Sequence, residues 1–215
     1  MRKLILAIVL FLSVILVIEA RTYFKRVHKT KNPSAIFKSG DIIFQTNSGG
    51  QSLAIMLATH SKYTHVGLIY FEQGIPFVYE AVQPVKKTPL KEWISNGVDH
   101  HYVVKRLQKA DSILTPSVLS KMKIVFYNHI NKNYDLYFGW NDDRIYCSEL
   151  VWKIYKGSTS LDIGKLQRLK DFDLQSQEVK TKLKERYGNQ IPYEEVVVSP
   201  QSIFDCKLLT TVVSE

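Results

Sequence analysis

Only two cysteines, Cys147 and Cys206, stand among the 215 residues, so no disulfide framework carries this fold. A single bridge between them in an oxidising compartment stays open. There is no second thiolate and no paired-histidine helix motif, which sets a zinc site well behind thiol chemistry. The Gly-rich turn Thr46-Asn47-Ser48-Gly49-Gly50 lacks a Gly-Lys-Ser/Thr ending, so a phosphate-cradling loop is poorly supported. Repeats and low-complexity segments are absent. A basic face is missing as well, although the net charge is +9. Residues 1–33 hold seven Lys and Arg against Glu19, which is +6 of that total and leaves +3 for all the rest. A domain so near neutral has no general electrostatic footprint for phosphate backbones, which excludes nucleic acid as a partner.

What is there begins at the N-terminus. Arg2 and Lys3 precede an uncharged apolar run over residues 4–18, closed by Glu19 and Ala20. A positive n-region followed by an h-region marks export, and the run is slightly short of the ~20 residues of a spanning helix. Two readings stay open. Cleavage after Ala20 would make residues 1–20 a signal peptide, whereas the basic stretch 21–31 argues for an uncleaved membrane anchor. No Cys sits near the end of the run, so a lipoprotein anchor is excluded. Residues 21–38 read as a basic linker broken by Asn32-Pro33-Ser34, and residues 39–215 suffice for one domain with its own core.

Along that domain, residues 42–45 form a strand candidate, and a helix is expected over 51–58 with Leu53, Ile55, Met56 and Leu57 as its apolar face. Residues 64–71 and 76–82 are rich in β-branched and aromatic side chains and flank Glu72-Gln73-Gly74-Ile75, the pattern of a hairpin. A helical turn at 90–95 and a strand at 102–107 follow. Helical spacing runs from Pro116 to about Asn131. A polar, aromatic loop over 133–144 leads to a buried helix from Cys147, expected to end at Gly157. Residues 163–187 read as a solvated helical excursion, 195–198 as a strand, Ser199-Pro200 as a helix start and 208–213 as a last strand. Helices with an antiparallel or mixed sheet make the fold class α+β.

Three strings carry chemistry: Thr64-His65-Val66-Gly67, Tyr79-Glu80-Ala81 and Tyr146-Cys147-Ser148-Glu149-Leu150-Val151. Cys147 falls at the start of a helix, where the dipole favours thiolate and the free first-turn N–H groups can hold an oxyanion. His65 opens one hairpin strand and Glu80 closes its partner, so a base and its orienting carboxylate can meet. Each residue alone has a plain structural reading: a small buried thiol, a hydrogen-bonded core histidine, a solvated glutamate. The three together form a nucleophile, a base and an orienter, and chain order is free to vary in such triads. His60 lies in a turn, His100 and His101 in a polar stretch, and Lys86 and Lys87 in what reads as a solvated turn.

The chain resembles the permuted papain-like amidases of the YiiX type, within the NlpC-like superfamily. The likeness runs through Gly40-Asp41-Ile42-Ile43-Phe44-Gln45, Ala58-Thr59-His60-Ser61-Lys62-Tyr63-Thr64-His65-Val66-Gly67, Val78-Tyr79-Glu80-Ala81-Val82-Gln83-Pro84-Val85, Thr88-Pro89-Leu90 and Asp142-Asp143-Arg144-Ile145-Tyr146-Cys147-Ser148-Glu149-Leu150-Val151-Trp152. The permutation places His and its polar partner before Cys, the order found here. The resemblance implies a papain-like core, a small antiparallel sheet or partial barrel packed against helices. Cys147 would be the nucleophile, His65 the base and Glu80 the orienting member, with Tyr63, Tyr146 and Asp41 as pocket or second-tier residues. It implies a cysteine hydrolase or acyltransferase that needs no cofactor and no metal. Such an enzyme would act in the bacterial envelope on cell-wall peptides or acyl lipids. The rival class is an inactive papain-like module that binds such ligands, and a redox role for Cys147 with Cys206 would require a disulfide.

Overall fold

Strand formers dominate the first half of the domain, and they build one antiparallel sheet. The computed structural model describes residues 36–215, and the unit Lys38–Glu215 is built around that sheet. Segment 1–20 and nearly all of linker 21–38 lie outside the described residues. The strands are β1 (Ile42–Gln45), β2 (His65–Glu72), β3 (Ile75–Glu80), β4 (Lys86–Pro89) and β5 (Tyr102–Leu107). Two short pairs lie off the sheet, β6 (Asn133–Tyr134) with β7 (Arg144–Ile145) and β8 (Gln167–Arg168) with β9 (Val196–Val197). The last strand, β10 (Leu209–Ser214), completes the order β10-β5-β1-β2-β3-β4, antiparallel at every step. The helices are α1 (Gly50–Thr59), α2 (Leu90–Ser95), α3 (Ala110–Ile113), α4 (Pro116–Tyr127), α5 (Cys147–Thr159), α6 (Gln177–Tyr187) and α7 (Pro200–Phe204). Among the described residues no helix is long and apolar enough to cross a membrane.

The hairpin forms where the β-branched and aromatic runs placed it. Gln73 and Gly74 take φ of 50° and 79°, the positive pair whose twist matches the flanking strands in a two-residue loop. Leu68 then pairs with Tyr79, which brings Glu80 level with Gly67 and one diagonal step from His65 on the same face. On the other face Tyr70, Tyr79 and Phe126 stack, with ring centroids 5.0 and 3.8 Å apart. Each such aromatic pair adds about 0.5–1.5 kcal/mol beyond the area it buries. That stack joins β2 and β3 to α4. Helix α5 packs between α4 and β2, with Leu150, Val151, Ile154 and Tyr155 fully buried.

Several local expectations give way to packing. Gly157 does not end its helix; α5 runs on to Thr159 and stops at Ser160, whose φ is 62°. A Cβ at Gly157 would come within 3.3 Å of Val125, so this glycine lets α4 and α5 approach closely. Helix α4 ends at Tyr127 rather than near Asn131. In α1 the buried residues are Ser52 and Ala54, while Leu53 is 44% exposed. Its N-cap, Gly49, offers no side-chain cap. The 163–187 excursion is not wholly solvated: Ile163, Leu169, Val179 and Leu183 are buried, and α6 packs on α1. Two apolar positions four apart are enough to seat one stripe of a helix. Lys86 and Lys87 are strand residues of β4, with Lys87 Nζ 2.5 Å from Glu72 Oε2.

Candidate active site

The start of β2, the end of β3 and the first turn of α5 converge. His65 Nε2 lies 2.7 Å from Glu80 Oε2, and the Cys147 thiol lies near enough to the His65 ring for each to shift the other's pKa. With Nε2 taken by Glu80, the nitrogen left for the thiol is Nδ1. Cys147, His65 and Glu80 are only 3%, 5% and 4% exposed. Sequence reasoning named these three residues, and the structure brings them together.

Their surroundings hold the three in place. Glu80 accepts from Thr88 Oγ1 at 2.5 Å and from Trp93 Nε1 at 2.9 Å, so with His65 both carboxylate oxygens are engaged. The Trp93 ring also stacks on the imidazole, 5.6 Å between centroids and 24° between planes. On the thiol side, the Val66 N–H lies near Cys147 and favours its thiolate. Tyr134 Oη donates toward Cys147 Sγ at 4.0 Å, and Gln51 Nε2 donates to Tyr134 Oη at 3.4 Å.

These contacts decide the charge states. Burial opposes the thiolate, yet the His65 hydrogen bond and charge, with the Val66 N–H and the Tyr134 hydroxyl, outweigh it and lower the Cys147 pKa. Burial likewise opposes the imidazolium, and the bonds and charges of Cys147 and Glu80 overcome it, raising His65 to about 10. Glu80 is lowered despite its burial, through its hydrogen bond to His65, the His65 charge, and the donors Thr88 and Trp93. A buried trio in which one cation sits between two anions is self-consistent: each partner stabilises the other's charged form. Both shifts favour the thiolate–imidazolium form of the pair over the neutral one. The position of Cys147 as first residue of α5 adds the helix dipole, and the amides of Cys147 and Ser148 have no intrahelical acceptor.

The chain belongs to a known family. Residues 37–213 match the model of the permuted papain-like amidases, the YaeF/YiiX or C92 family. A protein of Escherichia coli (strain K12) named only as uncharacterized protein YiiX is 48% identical over 178 residues, 83% of this chain and 87% of its own length. The crystal structure of YiiX from Escherichia coli O157:H7 is 48% identical, with a TM-score of 0.79 over 83% of this chain and 97% of that one. The permuted papain-like fold and a hydrolase-type role in general follow from this membership. That crystal structure is described as a metalloprotein. The trio here does not fit a metal: Glu80 has both oxygens bound by donors and His65 Nε2 is held by Glu80. Among the described residues no group of three His, Cys, Asp or Glu side chains is placed to hold one.

The remaining sequence-named residues separate. Tyr146 is the N-cap of α5; its N–H reaches Glu149 Oε2 at 3.3 Å and its hydroxyl accepts from the Val198 N–H at 3.1 Å. It lines the cleft at Cys147. Tyr63 stacks on Phe204 at 4.4 Å in the core. Asp41 meets Arg106 through both oxygens, at 2.6 and 2.7 Å. It precedes β1 at the end opposite Gln45, the residue paired with His65. His60 is an exposed partner of Asp173, and His101 meets Lys62. Both thiols are free, so Cys147 and Cys206 do not pair.

Thr88, Trp93, Tyr134 and Gln51 were missed. A tryptophan in a short apolar turn carries one usable signal, since its N–H needs an acceptor once buried. Tyr134 and Gln51 carry none, because only the fold brings β6 and α1 to the thiol.

Two openings flank the trio and share Gln51, Ile55 and Tyr134. A narrow slot of about 90 Å³ reaches Cys147 and is walled by apolar side chains such as Ala54, Phe172, Leu174 and Val197. A wider cleft of about 590 Å³ reaches His65 and is walled mainly by polar ones, among them Asn47, Ser48, Gln83, Asn133 and Arg144.

Proposed function

We propose that this protein is a cysteine hydrolase that cleaves an amide or ester through a Cys147 acyl-enzyme, with His65 as base and acid and Glu80 orienting it. The observation that carries this reading is the gathering of Cys147, His65 and Glu80 at the N-terminus of α5, with His65 held by Glu80 at 2.7 Å beside the thiol. The thiolate attacks the carbonyl carbon, a C–S bond forms and the carbonyl electron pair moves to oxygen, where the free amides of the first helical turn can receive it. His65 then gives its proton to the leaving nitrogen or oxygen as that bond breaks. Water attacks the thioester with His65 taking its proton, the C–S bond breaks, and the thiol and a carboxylic acid are released. A second nucleophile in place of water would make the same acyl-enzyme a transferase.

The two openings give the substrate a direction. The apolar slot stands on the thiol side, where the acyl part of a substrate must lie, and the polar cleft stands on the imidazole side, where the leaving group departs. An apolar acyl group on a polar leaving group fits both, which favours acyl-lipid amides or esters over cell-wall peptides. We further propose that residues 1–20 export or anchor the protein, that 21–38 link it, and that residues 39–215 act in the bacterial envelope.

Limiting iodoacetamide across pH 5 to 9, applied to wild type, His65→Ala and Cys147→Ser, tests the reading. Labelling of Cys147 at pH 6 that is lost in His65→Ala is the expected result, followed by turnover of acyl substrates by wild type alone. Slow labelling at every pH, indifferent to His65→Ala, would instead mark a binding module without a primed nucleophile.

A further inference from the structure

Arg186 places a charge where burial is costly. Helix α6 seats Val179 and Leu183 against the domain, and Lys182 and Arg186 stand three residues beyond each of them, on the flank of the same stripe. The Arg186 guanidinium lies over the Phe138 ring, 4.9 Å from its centroid. Its side chain lines the slot that ends at Cys147, as does Tyr134. Burial lowers its pKa from the ordinary value, and the nearby charges do not cancel that penalty.

Among the described residues no acceptor meets this guanidinium. The two acids in electrostatic range are committed elsewhere. Asp135 takes the N–H groups of Tyr137 and Gly139 at 2.8 and 2.7 Å. Glu185 takes Lys182 Nζ at 2.5 Å. A partly desolvated arginine stacked on an aromatic face, with its donor fork unfilled beside a nucleophile, has the form of an oxyanion receptor.

We propose that Arg186 binds an oxyanion group of the substrate, a carboxylate or a phosphate, at the slot beside Cys147. This rests on the reading of Cys147 as the nucleophile and adds to it that the substrate is anionic as well as apolar. Arg186 thereby selects the substrate and positions it, without touching the bond that breaks.

The test compares alkylation of Cys147 by anionic iodoacetate and neutral iodoacetamide, using the full chain at pH 7 and fixed ionic strength. The rate ratio of iodoacetate to iodoacetamide is expected to fall about tenfold in Arg186→Met, the low end for a charge-assisted hydrogen bond. It is expected to fall less in Arg186→Lys, and to stay unchanged in Lys184→Met, which removes the same charge from the exposed face of α6. Hexanoate and hexyl phosphate, offered as protectants against iodoacetamide, separate the two sources of oxyanion; one of them should protect wild type and not Arg186→Met. An unchanged ratio in Arg186→Met, or protection by neither anion, overturns the inference while leaving the nucleophile in place. If neither reagent modifies wild-type Cys147, the reading of the nucleophile falls and the anion site falls with it.

Discussion

Replacing Glu80 by Gln keeps the shape of the side chain and removes its charge. In the native site that charge accepts from His65 at 2.7 Å, Trp93 at 2.9 Å and Thr88 at 2.5 Å. The bond to His65 is charge-assisted on both sides, and such bonds are worth about 1.5–3 kcal/mol against about 1 kcal/mol for a neutral one. A loss of roughly 1–2 kcal/mol falls on the imidazolium, because neutral His65 gains little from a carboxylate. At 1.36 kcal/mol per unit, the His65 pKa falls by about one unit from about 10. The imidazolium is still the form present at pH 6, so iodoacetamide labelling of Cys147 should hold there, while the ring gives up its proton about one pH unit earlier on the alkaline side. The assay is the pH titration of the His65 ring protons by nuclear magnetic resonance, with near-ultraviolet circular dichroism confirming that the Trp93 environment survives. A profile that superimposes on wild type, with the fold intact, would refute the orienting role of Glu80 and leave His65 and Cys147 as an isolated pair.

Tyr134→Phe removes the hydroxyl 4.0 Å from Cys147 Sγ; the thiol pKa should rise by about half a unit, and an unmoved midpoint in the labelling profile would show that the hydroxyl does not support the thiolate. Glu149 is wholly buried and burial raises its pKa from 4.5 to about 7, against the lowering effect of Lys153. The pair is asymmetric, since Lys153 is raised while Glu149 is raised too; Lys153 is 17% exposed and keeps water, so burial falls on the carboxylate. Folded Glu149 holds its proton more tightly than the unfolded chain does, so stability is fully present below pH 4.5 and falls as pH rises through 7, by at most about 3 kcal/mol. Urea midpoints between pH 5 and 8 should fall in wild type and flatten in Glu149→Gln; equal slopes would contradict this. Asp41→Asn breaks the double contact to Arg106 and should cost about 3 kcal/mol of stability, with Cys147 labelling at pH 7 within twofold of wild type. A large change in labelling would tie Asp41 to the site.

The residues that could be read from the chain were those whose neighbours in sequence are also their neighbours in space. A hairpin two residues across brings its strand ends together by local rules alone, so His65 and Glu80 were legible as a pair. The helix start at Cys147 was legible for the same reason: the capping and dipole effects live within one turn. Its far end was not, because Gly157 reads as a terminator until Val125 of another helix is packed against it. Leu53 of α1 likewise looked like core, and the fold buries Ser52 and Ala54 instead.

By itself, then, the sequence determined the α+β class, the hairpin, the order of His65, Glu80 and Cys147, and the kind of chemistry they can perform. Only the tertiary structure decided what holds them. Trp93 and Thr88 reach Glu80 across a turn, Tyr134 reaches the thiol from β6, and Arg186 enters the same slot from α6. Asp41, 65 residues from Arg106, was drawn into an ion pair away from Gln45 and the His65 end of β1. The physical reason is common to all of these. Burial and charge pairing depend on which surfaces meet after the chain has closed on itself, and no local pattern records that meeting.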